Sequence, residues 1–184
     1  MTFISVDAST QSMAYAIWDT ELRAWGKILY GSESKNVYDK AGTIGKKSGA
    51  LTRALLERFE VKVMVIEKPI FANSPMTASN LALTQGALVG AAIFGGIGRV
   101  VGTEPITWQS WVGNPNLKKV EKETINAEYP GKSATFLKQK QREFRKQRTI
   151  SYVNKRFDIG VYDNDICDAI GIGCWALDTG IFSQ

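Results

Sequence analysis

Four carboxylates in this chain could do chemistry together: Asp7, Glu67, Asp165 and Asp168. Asp7 closes the apolar run Phe3-Ile4-Ser5-Val6, and Glu67 closes Val61-Lys62-Val63-Met64-Val65-Ile66. Asp165 and Asp168 stand three apart in Asp163-Asn164-Asp165-Ile166-Cys167-Asp168-Ala169-Ile170, at the opening of an apolar, helix-like stretch. An acid at the tip of each of two buried strands, with two more on one helical turn, gathers negative charge at one point. Such a cluster is costly unless cations fill it. A glutamate is rarely buried without a partner, and the adjacent Lys68 faces the other side of a strand. The chemistry such a set supports is phosphodiester hydrolysis. Two divalent ions about 3.5–4 Å apart can make a nucleophile from water and stabilise the leaving 3′ oxygen. Four carboxylates offset the charge of two such ions. Mg²⁺ suits oxygen ligands, and Mn²⁺ can substitute for it. At i, i+3 spacing Asp165 and Asp168 share a helix face, in a first turn where the dipole favours anions, with Asp163 or Asn164 as the expected N-cap.

The elements that must position these acids are legible as apolar runs and helical spacing. Residues 3–7 read as a buried strand, followed by the small polar turn 8–12. Residues 13–18 and 27–31 complete a meander of three antiparallel strands. Leu51, Leu55, Leu56 and Phe59 predict a helix over 48–59 that returns the chain to the sheet. Residues 61–67 are then a strand parallel to the first, ended by Pro69. After a loop at 71–75 come an apolar helix over 76–94, a short strand over 99–102 and a helix or turn over 106–111. Residues 114–131 are polar and poorly patterned, and read as a mobile loop. A basic helix or helix pair covers 136–157, with Phe136, Leu137, Phe144, Tyr152, Val153 and Phe157 as its apolar anchors. A last helix covers 166–182. This order predicts an α/β, ribonuclease H-like fold: a mixed central sheet, three antiparallel strands then parallel ones, flanked by helices. No repeat or linker interrupts it, so residues 1–184 are expected to form one domain. The first strand and the strand ending at Glu67 then finish at the same sheet edge, where ligand sites of α/β sheets lie.

Composition narrows the chemistry. The chain has no histidine, which excludes histidine triads, bases and metal ligands. Its two cysteines, Cys167 and Cys174, fall on one predicted helix about 10 Å apart, too far for a disulfide. Both read as small buried apolar residues, in keeping with a reducing cytoplasm, and no signal peptide is expected from Met1-Thr2-Phe3. The uncharged stretch from Ala78 to Gly98 is long enough to span a bilayer, but its Ser79, Asn80, Thr84, Gln85 and glycines read better as a buried helix running into a turn, with no membrane partner. The net charge is +5, yet Lys118 to Asp158 holds twelve Lys/Arg against five Asp/Glu. A basic segment joined to an acidic site suits an enzyme of nucleic acids.

Val6-Asp7-Ala8-Ser9-Thr10, Ile66-Glu67-Lys68-Pro69-Ile70-Phe71, Leu83-Thr84-Gln85-Gly86-Ala87 and Asp165-Ile166-Cys167-Asp168-Ala169-Ile170 together resemble, in order and spacing, the RuvC-type Holliday junction resolvases. The resemblance implies a Mg²⁺-dependent endonuclease that nicks four-way DNA junctions symmetrically as a homodimer, without a nucleotide cofactor. It makes Asp7 and Glu67 the strand acids, and Asp165 with Asp168 the helical pair. The chain departs from that pattern in three places: no glycine follows Asp7, Trp108 stands where bacterial members tend to carry a lysine, and the 114–131 loop is longer. These departures suit a divergent bacterial or phage-encoded member, acting in the host cytoplasm.

Lys138, Lys140, Arg142, Arg145, Lys146 and Arg148, against the single Glu143, are candidate phosphate contacts. Lys146 stands out because the resembling family carries a lysine near the start of a comparable helix. Lys68 is a further candidate contact, and Phe71 could stack on a base unpaired at the junction. Trp108 and Trp111 fit core packing better than a wedge. Gly86, Ala87, Gly90 and Ala91 form a small-residue stripe that would serve close helix packing or a dimer interface. Two other readings share the fold: a ribonuclease H-like nuclease acting on RNA or other branched DNA, and an actin-like or sugar-kinase ATPase. The second needs two such domains and an adenosine-binding glycine motif, for which 184 residues leave no room.

Overall fold

The computed structural model describes residues 1–31, 34, 36–69 and 74–183. The chain begins with the hairpin strands β1 (Phe3–Ala8), β2 (Ser12–Trp18) and β3 (Leu22–Leu29), then α1 (Val37–Phe59) and β4 (Val63–Glu67). It continues through α2 (Pro75–Phe94), β5 (Arg99–Thr103), α3 (Pro105–Trp111), α4 (Lys119–Ala127), α5 (Ala134–Phe157) and α6 (Asn164–Thr179), and ends in a 3-10 turn, Ile181–Ser183. The sheet order is β3-β2-β1-β4-β5, with the β1–β2 and β2–β3 pairs antiparallel and the β1–β4 and β4–β5 pairs parallel.

Alternation along β1 and β4 decides what faces what. Ile4, Val6, Met64 and Ile66 point into a core closed by Ile44 and Leu55 of α1 and Leu88 and Ala92 of α2. Phe3, Val63 and Val65 point the other way, onto Trp108 of α3, Ile150 and Val153 of α5, and Ile170 and Ile172 of α6. Asp7 and Glu67 continue this second set by period two, immediately after the parallel pair Val6–Ile66. Strand pleat alone therefore aims both acids at the α6 side.

Helix α6 lies close against the sheet and against α3 because two of its residues lack a side chain. A Cβ on Gly173 would fall 2.0 Å from the Trp18 Nε1, and one on Gly171 would fall 2.8 Å from the Trp108 ring. The approach is tied by Ser5 Oγ, which accepts from Trp18 Nε1 at 2.9 Å and donates to the Ala169 carbonyl at 2.7 Å. Gly173→Ala is accordingly expected to destabilise the fold by about 3 kcal/mol, lowering Tm by roughly 6–12 °C. Thermal unfolding followed by circular dichroism measures this; an unchanged Tm would mean that the helix packs less tightly than described.

Several boundaries differ from the sequence expectation. Helix α1 starts at Val37, eleven residues earlier, because the Asn36 side chain caps it by accepting from Tyr38 N at 2.8 Å. A Cβ placed on its Gly45 or Gly49 would lie 3.7 Å from the Ala87 carbonyl or 3.6 Å from the Ala91 Cβ of α2, ordinary contact distances. Strand β3 covers Leu22–Leu29 rather than 27–31, with Gly26 leaving the room that the Tyr15 ring fills. Residues 119–127, expected in a mobile loop, form α4, whose first turn is closed by Lys118 N donating to Glu121 Oε2 at 2.7 Å and whose Glu121 pairs with Arg148 of α5. Residues 134–157 are one continuous helix, and Phe144 is 42% exposed rather than an anchor. The last helix runs 164–179 rather than 166–182.

Helix α2 alone among the described residues is long and apolar enough to cross a bilayer by length and composition. It packs one face on α1, burying Thr84, Leu88 and Ala92. Ser79, Ala82, Gly86, Gly90 and Ile93, on the opposite face, are exposed.

Candidate active site

The C-terminal ends of β1 and β4 and the N-terminal turns of α6 open onto one cavity of about 730 Å³, and Asp7, Glu67, Asp165 and Asp168 all line it. Asp163 is the α6 cap, accepting from the backbone N–H groups of Asp165 and Ile166 at 2.9 and 3.2 Å. Asp165 lies in the first turn; Asp168 lies beyond it, so the helix end favours only the first of the pair. Asn164 Nδ2 donates to Asp168 Oδ2 at 3.1 Å.

The acids crowd one another. Burial, then the charges of Glu67 and Asp165, push the Asp7 carboxyl up to about 7. Burial and the same neighbourhood, with Asp7 foremost, hold Asp168 well above the ordinary carboxylate range. Burial raises Glu67 as well, opposed by the N–H of Trp108 and reinforced by Glu104. The cations within the field of Asp7 are Lys27 and Lys146. Lys27, from β3, reaches Asp165 Oδ2 at 2.7 Å and Asp163 Oδ2 at 3.0 Å.

Among the described residues no three His, Cys, Asp or Glu side chains are already grouped as a finished metal centre. The donor chemistry nonetheless fits a hard divalent cation. The cavity floor offers oxygen donors, burial and neighbouring carboxylates raise Asp7 and Asp168, and the Asn164 Oδ1 is buried without a hydrogen-bond partner among the described residues. Asp7, Glu67, Asp165 and Asp168 are the residues that would hold Mg²⁺.

The opposite wall is cationic. Of the six basic residues singled out on α5, Lys138, Arg142, Arg145 and Lys146 line the cavity. Lys140 turns aside to pair with Glu143 at 2.8 Å, and Arg148 pairs with Glu121 and lines a separate groove beside Phe144 and Tyr152. Lys68 is exposed and pairs with Glu104 at 3.1 Å, away from the cavity wall. Phe71 lies outside the described residues. Trp108 is core, 1% exposed, and is no wedge; Trp111 is half exposed and donates to Asp178 Oδ2 at 3.1 Å.

Sequence reasoning missed three contributors. Lys122 of α4 lines the cavity, but it sits in the segment read as a loop. Lys27 reaches the site only because β3 is the strand next to β2, and nothing in its local pattern marks it. Trp108 donates its Nε1–H to Glu67 Oε2 at 2.6 Å, a contact made across 41 residues of sequence.

A mixed sheet in the order 3-2-1-4-5, with acids at the ends of its central parallel pair, is the ribonuclease H-like fold. Solved structures share it over nearly the whole chain. RuvC of Thermus thermophilus in complex with a Holliday junction substrate superposes with a TM-score of 0.63 at 13% identity, covering 98% of this chain and 97% of that one. A second T. thermophilus RuvC structure gives 0.62 at 14% identity, with the same coverage. The yeast mitochondrial Holliday junction resolvase gives 0.52 at 12% identity, covering 99% of this chain and 80% of that one. At such identities the likeness is one of fold. No protein-family model and no curated protein sequence matches the chain.

Proposed function

We propose that this protein is a divalent-metal-dependent, structure-selective endonuclease that resolves four-way DNA junctions by paired nicks, acting as a homodimer. One observation carries the reading: four acids distant in sequence line a single cavity whose facing wall is built of Lys122, Lys138, Arg142, Arg145 and Lys146. A floor that attracts cations and a wall that attracts phosphates is the arrangement needed to hold a DNA backbone over a hydrolytic site. Bound Mg²⁺ would supply an activated water and stabilise the leaving oxygen. The chain's own residues do the rest. The α5 cations seat the phosphates, with Arg145 oriented on the cavity wall by Gln109 Oε1, which accepts from its Nη2 at 2.5 Å. The half-buried setting of Asp7 and Asp168 leaves their mutual repulsion little screened by water, which favours a cation bound between them.

The uncharged outer face of α2, with open space above Gly86 and Gly90, supports the dimer, because two-fold symmetry matches a junction cut at two points. Sedimentation that finds only monomer, with and without junction DNA, would remove the paired-nick mechanism. The substrate is tested by comparing Mg²⁺-dependent cutting of a four-way junction, a flap, a plain duplex and an RNA–DNA hybrid. Preference for the junction is expected, and equal digestion of hybrid and junction would overturn the reading.

Phosphate contact has its own signature. Lys146→Ala should lower the slope of log affinity against log salt by about 0.9 on duplex arms. Lys140→Ala, on the turned-away face, should leave the slope unchanged. Equal slopes for both variants would displace DNA from the cavity wall.

A further inference from the structure

Glu67 is held at two points by donors from two different helices. Gln85 Nε2 of α2 donates to its backbone carbonyl at 2.7 Å, and Trp108 Nε1 of α3 donates to its Oε2 at 2.6 Å. The tryptophan cannot turn away. It is 1% exposed within the core, and its ring occupies the space opened by Gly171 on α6, the helix that carries Asp165 and Asp168. An indole N–H is a donor only, so its geometry admits one kind of partner. With one acceptor site of Oε2 taken by that donor, Oε1 is the oxygen freer to face a cation in the cavity.

We infer that Trp108 is a positioning residue: its indole N–H locks the Glu67 side chain by engaging Oε2, so that Glu67 would offer Oε1 first to a divalent cation held in the acid cavity. The inference rests on the metal-site reading proposed above. A free glutamate has several rotamers and can bind one or both of its oxygens to a cation. A ligand fixed in advance loses less freedom on binding and holds a more defined geometry. Groups that orient metal ligands typically matter by about 10–100-fold in affinity or activity.

The test is Mn²⁺ binding to the full chain, read by electron paramagnetic resonance without DNA. Three variants are compared with the wild type. Trp108→Phe deletes the N–H and shrinks the ring. Site-specific 3-benzothienylalanine in place of Trp108 keeps the bicyclic shape and deletes only the N–H. Glu67→Gln removes the ligand charge. Weakening of Mn²⁺ affinity by about tenfold or more is expected for both Trp108 replacements. The benzothienyl variant should keep the wild-type Tm and metal-free junction affinity, and in turnover assays kcat should fall with KM for DNA nearly constant. If that variant binds Mn²⁺ as the wild type does, Trp108 is a core residue and the inference fails, whatever Trp108→Phe does. If Glu67→Gln also binds Mn²⁺ unchanged, the metal-site reading itself fails.

Discussion

Asp7→Asn should reduce Mg²⁺-dependent cutting of a four-way junction by about a thousandfold or more, while metal-free binding of the same junction survives. Asp7 projects from the end of the central strand toward the α6 side, between Glu67 and the Asp165–Asp168 helix, and all four line one cavity. The substitution keeps shape and removes one of the charges that would hold the cation. On the proposed function, binding depends on a different wall, the α4 and α5 cations, which the change does not touch. Loss of an anion beside incoming phosphates should if anything tighten the complex. Gel-shift in EDTA and cleavage in Mg²⁺ on the same preparation separate the two effects. Retained cleavage would mean that the nucleolytic centre lies elsewhere, and lost binding would mean that Asp7 is structural.

The second large effect is on stability. The Asp7 carboxyl sits at about 7 in the folded chain against an ordinary 3.8. Between those values the native state keeps a proton that the unfolded chain has released, so stability falls as pH rises through the window and levels off above about pH 7. Asp168 adds in the same direction. In metal-free buffer near pH 8, Asp7→Asn should therefore stabilise the protein by about 3 kcal/mol, or roughly 6–12 °C in Tm, and the gain should vanish on acidification below the ordinary carboxylate range. Excess Mg²⁺ should raise the wild-type Tm near pH 8 more than that of the variant, and less so toward pH 5 as protons compete for the same oxygens. Differential scanning fluorimetry across pH measures all of this. A wild type more stable than the variant near pH 8 without metal would show that the acids are already neutralised.

The parts of the chain that announced themselves are those where local pattern and tertiary role coincide. Phe3–Val6 and Val63–Ile66 are buried on both faces, so they read as continuous apolar runs, and their parallel pairing follows from the helix between them. The Asp163 cap is a local device and was visible as one. Helix α4 was not: its only buried residue is Ile125, and its other ties are Glu121, bonded to Lys118 and Arg148, and Asn126, which accepts from Gln141 Nε2 of α5 at 2.9 Å. The first half of α1 hid behind Gly42 and Gly45, poor helix formers on propensity, although neither is demanded by packing: a Cβ would meet nothing within 4 Å at Gly42 and the Ala87 carbonyl at an ordinary 3.7 Å at Gly45. Lys27, Lys122 and Trp108 show the same limit at the site. Each acts on a group that only the fold brings near, whereas the four acids were marked by their own flanking sequence.

The hydroxyl of Ser5 joins the strand of Asp7 to the carbonyl next in sequence to Asp168, inside a layer where Trp18 and Gly173 interlock. Floor and interior thus belong to one cooperative unit, which opens only when the whole molecule does. Any adjustment to a substrate of the proposed kind would then fall to the rim, where α4 is fastened through Ile125, the Glu121–Arg148 ion pair and the Gln141–Asn126 hydrogen bond.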